Sequence, residues 1–170
     1  MTDPATPTPL KVTSDDFRTL MSGFPTGVAV VAATDRGGGQ RGMTCSSLCG
    51  VSLDPPVLMV CLRRGSPTLD AVLDTGRFVV NLLHADARGT AELFASGDPY
   101  RFERTPWETD AHAAGPHLTR DAHTVADCEV SLGQPVGDHV SVYGVVRRVT
   151  SRGERVPLLY GLRQFRRWRD

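Results

Sequence analysis

The sequence predicts a mainly β protein with a few helices, built as one barrel- or sandwich-like domain. Three observations lead there. Short apolar runs bounded by Gly, Pro or Asp recur at residues 28–33, 57–62, 77–83, 124–132 and 139–150, the spacing of strands rather than of helices. Only two or three segments carry a helical apolar period. The chain has 170 residues, enough for one core with little left for a second.

Residues 1–13, rich in Pro and Thr, read as a disordered leader, and the domain is taken to span 14–170. The leader lacks a basic region followed by an apolar stretch, so it is not a secretory signal. Thr13, Ser14, Asp15 and Asp16 offer capping side chains, and Phe17, Leu20 and Met21 then recur at i, i+3 and i+4. That is a short amphipathic helix ending near Gly23. The run 28–33 is too short for a helix and reads as a buried strand. Residues 35–40 turn the chain, 42–51 run back with small and hydroxyl side chains, and Asp54-Pro-Pro56 breaks the run. Residues 57–62 form a second buried strand. Ser66 and Pro67 open a helix over 67–75, with Pro where its missing N–H costs nothing. A strand over 77–83 and a helix over 86–95 follow. Residues 97–123 show little periodicity and read as a long surface loop that covers a pocket. Two long strands, 124–132 and 139–150, are joined by a turn over 133–138. The tail is strand-like from residue 156 and then basic.

Composition removes several classes of function. Nineteen basic and nineteen acidic residues cancel, so nothing favours a nucleic-acid partner. No apolar run approaches the ~18–20 residues that span a bilayer. The expected address is therefore cytoplasmic. In that setting Cys45, Cys49, Cys61 and Cys128 read as reduced, packed thiols rather than as a disulfide framework. Cys45 and Cys49 have no second pair at ligand spacing, so no metal site is expected. Lys11 is the single lysine among nineteen basic residues.

Gly37-Gly-Gly-Gln-Arg-Gly42 satisfies G-x-G-x-x-G after an expected strand. The dinucleotide fingerprint needs that loop to open a helix. Here Met43-Thr-Cys-Ser-Ser-Leu-Cys-Gly50 follows, with no helical stripe, so the segment reads as a hairpin. No Gly-Lys-[Ser/Thr] and no Gly-x-Ser-x-Gly occurs, which excludes a P-loop and a hydrolase elbow.

Three places carry candidate chemistry. Thr44, Ser46, Ser47 and Ser52 are either hydroxyls facing solvent from an edge strand or small side chains that let a flat ring lie against it, within reach of main-chain polar groups. Arg63-Arg-Gly-Ser-Pro-Thr68 joins a strand to a helix start. It is either a plain N-cap by Ser66 with two solvated arginines, or a phosphate site using the free N–H groups and the helix dipole. His139, beside Asp138, is either structural or placed for a ligand. The arginine-rich tail from Arg163 to Arg169 is a solvated end or a contact for dinucleotide phosphates.

Taken in order, these segments resemble the flavin reductase-like family with an FMN-binding split barrel, the short reductases of two-component flavin monooxygenases. The resemblance runs from about residue 17 to 167. It is carried by Phe24-Pro-Thr-Gly-Val28, Gly42-Met-Thr-Cys-Ser-Ser47, Val51-Ser-Leu-Asp-Pro-Pro56, Arg64-Gly-Ser-Pro-Thr68, Phe78-Val-Val-Asn-Leu82, Arg101-Phe102 with Trp107, Gly137-Asp-His139 and Pro157-Leu-Leu-Tyr160. It implies a split-barrel homodimer with flavin near the subunit interface. It further implies an NAD(P)H:flavin oxidoreductase that passes reduced FAD or FMN to a partner monooxygenase, with FAD and NADH favoured and NADPH admitted. A flavin-binding module without NAD(P)H oxidation is the alternative.

Carried over by position, Thr26 and Gly27 would touch the flavin. Met43, Thr44, Cys45, Ser46, Ser47 and Leu48 would meet its ring edge. Cys61, Leu62 and Arg63 would line a wall, and Ser66 and Thr68, with Arg64, would hold phosphate. Arg101 and Phe102 would help hold the flavin or its adenylate. His139 would sit by the nicotinamide, in the catalytic position, with Tyr160 close to it. The chain departs from the pattern at Arg101-Phe-Glu-Arg104, where Arg-Phe-x-Gly is usual. It departs again at Tyr160-Gly-Leu-Arg-Gln-Phe165, where Tyr-His-Arg-Gly-Arg-Tyr is usual.

Overall fold

Each strand of the protein can be traced to an alternation in the sequence, and the computed structural model, which describes residues 11–168, places them as follows. The chain forms α1 (Ser14–Ser22), β1 (Thr26–Gly27), β2 (Ala29–Thr34), β3 (Gln40–Cys45), β4 (Leu48–Leu53) and β5 (Pro56–Arg63). Then come α2 (Pro67–Thr75), β6 (Arg77–Leu83), α3 (Arg88–Ala95), β7 (Trp107–Glu108), β8 (His117–Leu118), β9 (Ala122–Val136), β10 (His139–Ser151), β11 (Leu158–Gly161) and β12 (Gln164–Arg167). Residues 1–10 of the expected leader lie outside the described residues. Thr13 caps α1 through a reciprocal pair with Asp16.

The main sheet is 7-stranded and antiparallel, in the order β3-β2-β6-β9-β10-β5-β4. Its two edge strands are consecutive in the chain, so the step from Cys45 to Leu48 closes the sheet on itself. The Cys61 N–H donates to the Ser47 carbonyl at 3.2 Å, extending the β4–β5 pairing one residue beyond Leu48 and Val60. The expected single return run over 42–51 is thus two strands, one on each side of the closure. Splitting lets each half pair with a different neighbour, β3 with β2 and β4 with β5, at the two ends of the sheet order.

β2 explains why its run is apolar at every position. Ala29, Val31 and Ala33 point into the barrel with Val60, Leu62, Phe78, Val80 and Val142. Val28, Val30 and Ala32 point outward, under Val79, Ala91, Phe94, Leu118 and Leu158. A strand covered on both faces cannot alternate. α2 is capped by Ser66 and ended by left-handed Gly76, and its Leu69, Ala71 and Val72 join the inner core. The turn over 133–138 is shorter than expected. β9 and β10 run on to Val136 and His139, leaving Gly137 and Asp138 as a two-residue hairpin loop with Gly137 at φ 59°.

Of the surface loop expected over 97–123, the part up to His112 does lie largely at the surface, whereas Ala114, His117, Leu118 and Asp121 are buried and β9 begins at Ala122. Asn81, fully buried, donates to the carbonyls of Val30 (3.3 Å) and Pro116 (3.2 Å) and accepts from the Leu118 N–H (2.8 Å). Asp127, 2% exposed, accepts from the Ala114 N–H (2.6 Å), His117 Nε2 (2.9 Å) and Arg148 Nε (2.8 Å). Polar anchors of this kind are legible only once strands β6 and β9 are side by side. Among the described residues, no helix is long and apolar enough to cross a membrane.

Two outcomes follow from these anchors. Asn81→Leu leaves the Leu118 N–H and a loop carbonyl unpaired in the core and should cost about 2–4 kcal/mol in urea unfolding. For Asp127, burial opposes ionisation, but the bonds from His117, the Ala114 N–H and Arg148 outweigh it and hold its pKa down, at about 2. The depressed value contributes on the order of 2 kcal/mol that is complete above the unfolded carboxylate pKa and is lost as pH falls through about 2. Asp127→Asn should therefore remove that much of the acid-side loss of stability; an acid limb identical to wild type in urea melts would refute it.

Candidate functional site

The site begins at the barrel seam. Along β3 the side chains alternate: Met43 and Cys45 face the inner core, while Gly42 and Thr44 face outward. Thr44 Oγ1 donates to the Ala91 carbonyl of α3 at 2.6 Å. A Cβ at Gly42 would lie 2.8 Å from the Phe102 ring and 3.1 Å from Phe94, so only glycine admits that packing. Ser46 lies outside both ladders with its side chain exposed. Ser47 Oγ donates to the Cys61 carbonyl at 3.2 Å and lies 3.4 Å from Cys45 Sγ. Burial pushes the Cys45 thiol up, and burial followed by the charge of Asp127 pushes Cys128 up to about 12. Both stay protonated and unreactive. Cys61 Sγ is 3.7 Å from Ser141 Oγ. Cys49, expected to be packed, is exposed on edge strand β4.

Two cavities meet at Ser46 and Tyr160. One, of about 430 Å³, is lined by Val28, Thr44, Ala95 and Phe165, with Glu92 at its rim. The other, of about 400 Å³, is lined by Arg18, Phe24, Thr26, Ser47 and Arg163. Tyr160 reaches the junction because β11 pairs with β1, Thr26 opposite Tyr160 and Gly27 opposite Leu159. Its ring is tilted on Phe165 with centroids 5.1 Å apart. At Gly27 an added Cβ would meet nothing within 4 Å, so the main chain there is open to a ligand.

A second group lies at the far end of β5 and the start of β10. His139 pairs with Arg63 across the ladder. Its Nδ1 is 2.9 Å from Asp138 Oδ1, and the His139 bond holds the Asp138 carboxyl below its ordinary range. With Nδ1 directed to the carboxylate, Nε2 is the nitrogen left for a ligand. The Arg64 N–H donates to the Asp138 carbonyl at 3.0 Å, and its guanidinium approaches the Gly137 carbonyl at 3.4 Å. Ser66 Oγ accepts from the Leu69 N–H at 3.2 Å. Only Leu62 separates Cys61, beside the seam, from Arg63, so these two positions are ~7 Å apart along one strand.

Several expected ligand residues are engaged elsewhere. Leu62 is fully buried in the inner core, and Thr68 is 4% exposed, so neither side chain is open to a flavin. Arg101 Nη1 donates to the Gly42 carbonyl at 2.9 Å, and Phe102 sits edge-on to Phe94, with centroids 5.0 Å apart. That pair clamps the loop onto β3. His139 lines a cavity of about 640 Å³ with Val12, Phe17 and Arg18, and Arg18 of α1 also lines the cavity that Tyr160 borders.

Comparison with known proteins bears directly on this arrangement. The family model described as "Flavin reductase like domain" matches residues 21–169. The chain belongs to the flavin reductase like family. A flavin reductase (NADPH) of Lentzea aerocolonigenes is 51% identical over 157 residues, covering 92% of this chain and 91% of that protein. The NADH:FAD oxidoreductase SgcE6 of Streptomyces globisporus C-1027, solved in complex with NAD and FAD fragments, superposes with a TM-score of 0.84 at 27% identity, covering 91% of this chain and 92% of that one. BorF, the flavin reductase component of a bacterial two-component tryptophan halogenase, superposes at 0.83 with 31% identity, covering 93% and 99%. The family's split barrel is the mainly β closure described above.

Sequence reading missed Arg18, Phe24, Glu92 and Phe165 as lining residues. Phe17, Leu20 and Met21 were read as an amphipathic stripe, yet no residue of α1 is buried and Phe17 and Leu20 remain 57% and 70% exposed. An apolar stripe that covers no core was the available signal. The clamp reading makes a prediction for Phe102. Phe102→Ala should lower unfolding stability by about 2–4 kcal/mol while leaving flavin affinity, measured by fluorescence titration, within about twofold.

Proposed function

We propose that this chain is an NAD(P)H-dependent flavin reductase whose flavin lies across the barrel seam, from the Ser46–Tyr160 junction along β5 toward Arg64 and Ser66. One observation carries the placement: two adjoining cavities share Ser46 and Tyr160, one mostly apolar and one bearing arginines. A flat ring and an anionic nucleotide require that pair of environments. When bound, the flavin supplies the hydride-accepting chemistry, and the protein supplies position and electrostatics.

The residues present fit that group. Ser46 is small, exposed and outside both ladders, so its main chain can meet a ring edge without a side chain intervening; Ser47 is exposed too, with its carbonyl and hydroxyl bonded to the Cys61 main chain. Thr44 and Cys45 contribute through backbone, since the Thr44 hydroxyl and the Cys45 thiol face other partners. Arg63, Arg64 and Ser66 stand where the β5–α2 connection exposes the amide end of a helix dipole to phosphate. Their charge is not needed by the core. His139, at the start of β10, positions the nicotinamide through Nε2 and transfers no proton. A site whose task is to stack two rings needs no proton transfer from a side chain for the hydride step, which is the cofactors' own chemistry.

FAD is the favoured flavin, as in the named activity of the Streptomyces globisporus neighbour, and NADH and NADPH both occur in the names of relatives. Reduced flavin is handed to a monooxygenase or halogenase component in the cytoplasm, as in the two-component system to which BorF belongs. The functional unit is a homodimer. Its support is the uncovered apolar surface: Phe17, Leu20 and Phe24 around α1 and Val51, Leu53, Leu132 and Val136 on β4 and the β9–β10 tip. Large apolar side chains left open to solvent are what an interface between subunits would cover.

Consumption of NADH and NADPH by the purified protein, with FAD, FMN and riboflavin added in turn, tests the proposal. Turnover should rise and saturate with added flavin. Tight flavin binding without turnover on either nucleotide would leave a non-catalytic flavin carrier. In the active enzyme, His139→Ala should raise KM for the nicotinamide substrate more than it lowers kcat. An equal fall in kcat and kcat/KM, with KM unmoved, would contradict the positioning role.

A further inference from the structure

One wall of the cavity of about 430 Å³ is held by a residue that does not line it. The cavity has Thr44 from the barrel on one side, Glu92 and Ala95 from α3 on a second, and Tyr160 and Phe165 from the tail hairpin on a third. The hairpin belongs to a separate three-stranded sheet in the order β1-β11-β12. β12, which carries Phe165, therefore has a ladder on one side only. Its other side is fastened by side chains, and they come from the start of α3. Arg167 Nη2 donates to Asp86 Oδ1 at 2.9 Å, and the Arg88 guanidinium lies over the Phe165 ring, 5.7 Å from its centroid.

Phe165 has no polar atom in its side chain, so contacts alone fix its ring. It packs on the outer core, tilts on Tyr160 with centroids 5.1 Å apart, and carries Arg88 over its face. Arg88 is in turn directed by Glu92, whose Oε1 accepts from its Nε at 2.8 Å. α3 thus spans the cavity. It bonds β3 through Thr44 Oγ1 and the Ala91 carbonyl at 2.6 Å, and it holds β12 through Arg88.

Helix stability does not account for an arginine at this position. Arg88 opens a helix that has no acidic residue in its first turn and no side-chain cap at Ala87. A cation at that end opposes the helix dipole. Arginine four residues before glutamate is also the weaker order for such a pair, and with the side chains 65% and 51% exposed it contributes little. What the position does supply is a planar cation at the Phe165 face.

We propose that Arg88 is a positioning residue for the flavin ring, acting through Phe165 to hold the Phe165–Tyr160 wall at the distance from Thr44 that admits one planar ring. The proposal rests on the reading that this cavity takes the flavin.

Fluorescence titration of the purified protein with riboflavin, FMN and FAD tests it, using Arg88→Ala, Phe165→Leu and the double variant. The three flavins share one ring, so Arg88→Ala should weaken each by a similar factor, about three- to fivefold, the size of one cation–π contact. In NAD(P)H turnover the KM for flavin should rise while kcat at saturating flavin holds. In the Phe165→Leu background the same substitution should cost less than about twofold, because the ring through which it acts is gone. Loss confined to FAD overturns the proposal, since the nucleotide rather than the ring would then be affected. An equal cost of Arg88→Ala with and without Phe165 also overturns it, as does unchanged affinity for all three flavins, whatever the Tm. Failure of the flavin reading is a separate result: wild type would bind none of the three, and both readings would fall together.

Discussion

The closure of the barrel between Cys45 and Leu48 is the constraint on which the rest of the molecule depends. Two consecutive strands occupy opposite edges of one sheet, so the few residues joining them must leave one ladder and enter the other. They cannot satisfy a regular ladder on both sides. Ser46 is accordingly exposed and unladdered, and Ser47 turns its carbonyl to the Cys61 N–H. A barrel has no edge to present to a ligand; its seam is where main chain remains accessible. The same step that completes the core also opens the binding surface.

Everything around the seam is arranged to keep it rigid. Thr44 ties α3 to β3, and Phe102 and Arg101 clamp the long loop against Gly42. Asn81 and the Asp127 network hold the rest of that loop to the back of the barrel. These contacts explain why Asn81 and Asp127 can sit buried: each has several partners, and removing one would strand the others. The family pattern Arg-Phe belongs, in this chain, to the support of the site rather than to its surface.

Helix α1 has a different role. It contributes nothing to the core, yet it bounds both the Ser46–Tyr160 cavity and the His139 cavity, and its last turn anchors the tail hairpin through Ser22. An element with an apolar stripe and no buried residue is held by few contacts of its own chain.

Local sequence determined the strands, α2 and its caps, and the hairpin at Gly37–Gly42, because alternation, Pro and Gly act within a few residues. It also made Ser46, Ser47, Arg64, Ser66 and His139 visible as candidates, through residue type and order. It did not reveal that the run over 42–51 splits, that the loop over 97–121 is anchored, or that Thr68 and Leu62 are buried. Those facts depend on which strand lies beside which, a long-range pairing that no local periodicity encodes. The tertiary structure decided which of the polar side chains had been spent on holding the barrel and which were left for a ligand.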